Sequence, residues 1–210
     1  MSIVTRPATP TATPSGRARI DDVRDVALTL FAERGYHGTT MSQIAAVLDV
    51  RVPTLYSHIT SKQSLLAEIF LDTTDAVLAD YERAVAGVDE LPERLRRAIE
   101  AYALRHATHR REALVVRRDL SALLEPNLSL VRATRRQHEQ AVRQLIADGI
   151  DAGVFAVRSA AMASFAMLEM SVSVASWFRE EGPLSAEAIA RQYGEFALGI
   201  AGVRASLERH

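Results

Sequence analysis

The sequence predicts an all-α protein of about nine helices, and three observations carry that expectation. From Ile20 onward apolar residues recur three and four apart. No stretch alternates apolar and polar residues over a useful length. The periodic segments are bounded by Ser, Thr, Gly and Pro at helical lengths. No internal repeat is visible. The pattern divides into a tail over residues 1–16, a compact head over 17–62 and a longer body over 63–210.

Composition narrows the possibilities further. The chain has 210 residues, 48% of them apolar, which is enough for a substantial core and argues against global disorder. It contains no cysteine. Disulfides, thiolate nucleophiles and cysteine-based zinc or iron–sulfur sites are therefore excluded. The net charge is −1, so any contact with nucleic acid rests on local placement of cations. The N-terminus shows no secretory leader pattern. The stretch 160–178 is apolar and long enough to span a bilayer. Glu169 at its centre, four interspersed serines and the absence of a one-sided Lys/Arg cluster instead favour a buried or interfacial helix. No nucleophile–base pair, phosphate-cradling glycine loop or metal cluster appears, so neither an enzyme nor a cofactor is expected.

Taken in order, residues 1–16 are rich in Thr and Pro with no apolar period and read as a solvated tail. The alternative is an arm that lays Arg6, Arg17 and Arg19 on DNA. The first helix spans Ile20 to Arg34, with Val23, Val26, Ala27, Leu30 and Phe31 on one face. Asp21 and Asp22 suit the positive end of its dipole, and Gly35 is placed to end it. Thr40-Met41-Ser42-Gln43 has the form of a capping box and opens a second helix, with Ile44, Ala45 and Leu48 facing inward. Asp49-Val50 is a turn. A third helix covers 52–58, with Pro53 in its first turn, where a missing N–H costs nothing. Ser61 caps a fourth that runs to about Ala86. The remaining helices are expected over 92–109, 112–124, 126–149, 159–180 and 185–202.

A short helix, a tight turn and a second short helix suit the DNA major groove, which admits one helix. In the third helix Arg51, Val52, Thr54, Ser57 and His58 are expected outside, and Leu55 and Ile59 inside. The stretch with Ala27, Leu30, Phe31, Gly35, Tyr36, Thr39, Thr40, Ile44, Ala45, Val50, Leu55, Tyr56, His58, Ser61, Lys62, Leu65 and Leu66 resembles the DNA-binding domain of the TetR family of transcriptional regulators. The resemblance implies a cytoplasmic homodimer with a helix-turn-helix head and a ligand-binding, dimerising body. It implies a regulator, most simply a repressor, released from its operator by a small hydrophobic effector. A helical interaction protein without DNA binding is the rival reading, and intact Tyr56, His58 and Lys62 argue against it.

Carried over onto this chain, the resemblance gives Thr40, Tyr56, His58 and Lys62 contacts to the phosphate backbone, which hold register. Base reading falls to Arg51, Val52, Pro53 and Thr54, with Arg51 suited to guanine. The chain departs from the family pattern at Pro53, where Gly or Ala is usual, at Arg51, where Ser is frequent, and at Ile59, where Phe is usual.

In the body, the helix over 159–180 is apolar nearly all round and is expected to be buried on most sides. Ala160, Ala161, Ala163, Ser164 and Ala166 there, and Ala190, Gly194, Ala197 and Ala201 in the last helix, suit close helix approach. The resemblance assigns the last two helices to a four-helix dimer interface; packing within one chain is the alternative. Glu169 needs a partner, either as a polar anchor in a pocket or in an ion pair with Arg117, Arg118, Arg132, Arg135 or Arg136. The run Ser171-Val172-Ser173-Val174-Ala175-Ser176-Trp177-Phe178-Arg179, followed by Gly182-Pro183-Leu184-Ser185, resembles more weakly the TetR-type regulators of lipid and sterol breakdown, which suggests an acyl-CoA or lipid-like effector. Its expected pocket is lined by Leu104, Arg118, Leu120, Met162, Phe165, Glu169, Met170 and Trp177, though a Met and aromatic stripe is more often plain core. His106, His109 and His138 read as solvated histidines rather than metal ligands.

Overall fold

The structure, a computed structural model, describes residues 20–203. Arg6, Arg17, Arg19 and the rest of the expected tail lie outside the described residues. Within them all regular structure is helical: α1 (Ile20–Arg34), α2 (Met41–Val47), α3 (Val52–Leu55), α4 (Lys62–Val85), α5 (Leu91–Thr108), α6 (Arg110–Arg118), α7 (Asn127–Asp151), α8 (Ala160–Trp177) and α9 (Ala186–Ala201), with a 3-10 turn at Leu120–Ala122. The all-α expectation holds.

The local signals act as their chemistry requires. Gly35 adopts φ +81°, and its N–H closes α1 on the carbonyl of Phe31 at 2.9 Å. Thr40 and Gln43 form the reciprocal capping box that opens α2, and Ser61 and Ser64 do the same for α4. Ser159 and Ser185 cap α8 and α9. The helix expected over 112–124 is shorter. It stops at Arg118 and gives way to the 3-10 turn, because the buried Asp119 carboxylate turns back to the head. Its oxygens take hydrogen bonds from the Tyr36 N–H at 3.4 Å and from Arg118 at 3.0 Å.

Two apolar cores organise the chain. One gathers Phe31, Ile44, Leu55, Leu65, Leu66, Ile69 and Phe70 of the first four helices with Ile59 between the third and fourth, and extends to Val115, Leu123 and Val131. The other joins Leu95, Ile99, Val142, Leu145, Ile146, Phe155, Met167 and Ala197. Each fully buried aliphatic or aromatic side chain contributes roughly 1.5–3 kcal/mol before the entropy of ordering is subtracted. The head core therefore reaches into α6 and α7, so head and body share buried surface.

Helix α5 lies at the centre of the body, packed on α4, α7, α8 and α9. The small residues of α9 serve this packing. Ala190, Gly194, Ala197 and Ala201 are all buried, and a Cβ at Gly194 would stand 2.8 Å from Glu100 Cγ and 3.0 Å from Arg96 Cγ. The stripe read as a dimer contact is thus an intrachain contact. The opposite face of α9 carries the exposed Phe196 and Ile200, with open space at Gly199. Helix α8 is not buried on most sides either. By length and composition it could cross a membrane, but less than half of it is buried in this chain. Met162 (69% exposed), Phe165 and Trp177 project outward.

Candidate nucleic-acid interface and effector cavity

The head presents α3 outward. Leu55 and Ile59 are buried, while Arg51, Pro53, Tyr56, Ser57 and His58 are exposed and Val52 and Thr54 half-buried. Pro53 sits in the first turn, and Arg51 is the N-cap without a side-chain capping bond, which leaves its guanidinium free to reach outward. Val52 rests partly on the head core. Ser57 Oγ donates to the Thr54 carbonyl at 2.7 Å. Asp49, in the turn between α2 and α3, takes φ +54°, a left-handed conformation that Asp tolerates better than most residues. That turn sets the angle of α3 against α2.

Two of the phosphate-contact candidates already have partners. Thr40 Oγ1 accepts the Gln43 N–H at 3.3 Å, which leaves its hydroxyl proton free to donate. Lys62 Nζ donates to the carbonyls of Tyr36 at 2.8 Å and Thr39 at 2.7 Å, and lies 4.1 Å from the Tyr36 ring centre. Burial pulls its pKa down. The only lysine of the chain thus ties the α1–α2 turn to the start of α4, keeping one N–H donor for anything outside.

The body holds a cavity of about 440 Å3 between α4, α5, α6, α7 and α8, within the range of small-molecule sites. Of the residues expected to line a pocket, it brings together Leu120, Phe165 and Glu169. The others point elsewhere. Met162 and Trp177 face outward. Met170 packs on the body core, and Leu104 lies beside a separate small cluster and a shallow groove over α9. Arg118 is turned to the head, where it donates to the carbonyl of Ala32 at 3.1 Å and to that of Phe31. Its neighbour Arg117 faces the cavity. Glu169 is not a buried carboxylate: α8 carries it on the solvent side, at the cavity mouth.

The inner wall holds residues that sequence reasoning set aside. His106 and His138 are buried, not solvated, at 8% and 5% exposure. Tyr102 lies between them, with ring centres 4.4 Å from His106 and 4.9 Å from His138, and Tyr81 stands 5.6 Å beyond His138. Burial holds both imidazoles near pKa 4 and raises the Tyr102 phenol to about 12. The usable signal was helical spacing: Tyr102 and His106 are one turn apart on α5. Pairing them with His138 required knowing that α7 packs on α5. Among the described residues no group of three or more His, Asp or Glu is placed to hold a metal ion.

Similarity to known proteins agrees with this architecture. The sequence pattern of bacterial regulatory proteins of the tetR family matches residues 23–69, and that of the tetracyclin repressor-like C-terminal domain matches residues 89–201. The HTH-type transcriptional repressor KstR2 of Mycolicibacterium smegmatis is 27% identical over 195 residues, covering 89% of this chain and 93% of its own. A bacterial regulatory protein in the tetR family from Rhodococcus RHA1 superposes with a TM-score of 0.82 at 30% identity, over 89% of this chain and 98% of its own. AibR, solved with isovaleryl coenzyme A and operator DNA, superposes with a TM-score of 0.78 at 21% identity, over 89% and 100%.

Proposed function

Because the chain belongs to the TetR family of bacterial regulatory proteins, a family of dimeric DNA-binding transcriptional regulators and not of enzymes, we propose that it is a repressor released by an acyl-CoA or lipid-like effector. The single observation that carries the DNA-binding half is the segment 51–59, where α3 and the turn after it are anchored by Leu55 and Ile59 with Arg51, Tyr56, Ser57 and His58 standing clear of the core. In this reading Arg51, Val52, Pro53 and Thr54 face base edges, and Thr40, Tyr56, Ser57, His58 and Lys62 hold phosphates. The exposed faces of α8 and α9 pair two copies, so that two α3 helices meet half-sites about one helical turn of DNA apart. The protein works in the cytoplasm, where its operator is.

The relatives named KstR2 repressors support the sign of regulation. The AibR complex supports an effector of the coenzyme A ester class. The cavity suits such a ligand. Val77, Val116, Leu120 and Leu168 supply apolar wall, and the exposed Arg117, Arg135 and Arg136 supply positive charge in its lining. Filling the cavity between α5, α6 and α8 favours one body conformation over another, and the separation of the heads follows as a population shift.

The test is gel retardation of the DNA upstream of its own coding sequence, with and without medium-chain acyl-CoA. Retardation that acyl-CoA reverses is the expected result, and Arg51→Ala relaxes sequence preference by about 1–3 kcal/mol at one base pair. Absence of retardation at low salt across all upstream fragments would overturn the reading.

A further inference from the structure

We infer that the wall of the body cavity formed by Tyr102, His106 and His138 selects a ligand carrying an oxygen function, a hydroxyl or a ketone, in place of a plain hydrocarbon tail. The inference deepens the effector reading above and rests on it.

A cavity built for an alkyl chain ends in aliphatic side chains. This one ends in polar groups whose hydrogen-bonding capacity the protein does not use. His106 Nδ1 lies 2.7 Å from the Tyr102 carbonyl. A carbonyl only accepts, so in the neutral ring the proton sits on Nδ1 and Nε2 remains an acceptor. Neither the Tyr102 hydroxyl nor the His138 ring has a hydrogen-bond partner among the described residues; both meet their neighbours through ring faces and edges. Donors and acceptors therefore stand together in one wall of the cavity, within a stack whose ring centres are about 5 Å apart.

A hydroxyl or ketone meets the free donors and acceptors of this wall without adding charge. Arg117, Arg135 and Arg136 are exposed members of the lining and suit the anionic part of an ester. A saturated tail driven against the inner wall would strip water from these groups and return no hydrogen bond, so the site discriminates by leaving its own polar atoms unpaired.

Isothermal titration calorimetry with a matched pair of probes, decanoyl-CoA and 9-oxodecanoyl-CoA, tests this. Wild-type protein is expected to bind the oxo probe at least about tenfold more tightly. Tyr102→Phe and His138→Phe, which keep the ring stack, are expected to erase that preference, weakening the oxo probe and tightening decanoyl-CoA toward a common affinity. Circular dichroism confirms that each variant is folded; should His138→Phe not fold, Tyr102→Phe decides alone. Equal binding of the two probes by the wild type overturns the inference and leaves the effector reading intact, as does a preference that survives Tyr102→Phe. Failure of both probes to bind at millimolar concentration counts against the effector reading, and the inference falls with it.

Discussion

The guanidinium of Arg118 lies 3.1 Å from the carbonyl oxygen of Ala32 in the last turn of α1. Arg118 thus caps a head helix from the body, while the adjacent Arg117 faces the body cavity. Asp119 completes the clamp on the Tyr36 N–H, and Arg111 reaches Asp25 at 2.8 Å. The end of α6 touches the body cavity on one side and the root of the helix-turn-helix on the other. Arg118→Ala is expected to cost about 1 kcal/mol of stability, a charge-assisted bond discounted for its partial exposure. It is also expected to weaken release of operator by effector more than operator affinity itself. Retardation titrations with and without acyl-CoA measure both.

Lys62 has a structural duty whatever it does on DNA. Its ammonium closes two carbonyls of the α1–α2 turn. Lys62→Met is expected to lower stability by about 1–2 kcal/mol and so shift the urea midpoint. If its remaining donor also meets a phosphate, the salt dependence of operator binding falls by about 0.9 in slope. An unchanged slope with a lowered midpoint assigns Lys62 to the turn alone.

The buried histidines predict an acid-labile body. Burial, the largest cause, holds His106 and His138 near pKa 4, below their ordinary 6.5, and Arg105, Arg135 and His109 oppose protonation of His106 further. Between those values the unfolded chain binds protons that the folded chain does not, so stability is full above about pH 6.5 and falls as pH drops toward 4. At pH 5 the loss is of order 2 kcal/mol per histidine. Urea denaturation at pH 7.5 and 5.0 measures it, and His138→Phe should flatten its share. A stability difference that is the same with and without His138 would sink this account.

Asp49 holds φ +54° between α2 and α3. Glycine takes that conformation without a Cβ clash, so Asp49→Gly is expected to be neutral or stabilising by up to about 1 kcal/mol, after the entropy it adds to the unfolded chain. Asp49→Val, branched at Cβ, is expected to destabilise and to loosen the placement of α3. Thermal melts separate the two.

Phe196 and Ile200 on α9 and Trp177 on α8 are exposed, on the faces proposed above to pair two copies. Phe196→Glu with Ile200→Glu is expected to give monomers by sedimentation velocity and to abolish operator retardation. Trp177, the only tryptophan of the chain, lies off the cavity. Its emission should therefore report dimerisation by a red shift in that variant.

The head was legible because its determinants are local. Thr40 with Gln43, Ser61, Gly35 and Pro53 act within one turn of where they stand, and Leu55 and Ile59 follow from helical period. The body was legible as helices but not as a site. Helical spacing says which residues share a face and is silent on which neighbour that face meets. For Arg117 and Arg118, about 100° apart around one helix, sequence offered no reason to send one to the cavity and the other to α1.

By itself the sequence determined the all-α class, most helix limits and the head that the family shares, since capping and periodicity are properties of neighbouring residues. Only the tertiary structure decided that the small stripe of α9 meets α5, that α8 is half open, and that His138 joins Tyr102 and His106 in one wall. The physical reason is that each of these depends on the rotation of one helix against another. That rotation is set by the whole set of packed side chains and not by any segment alone.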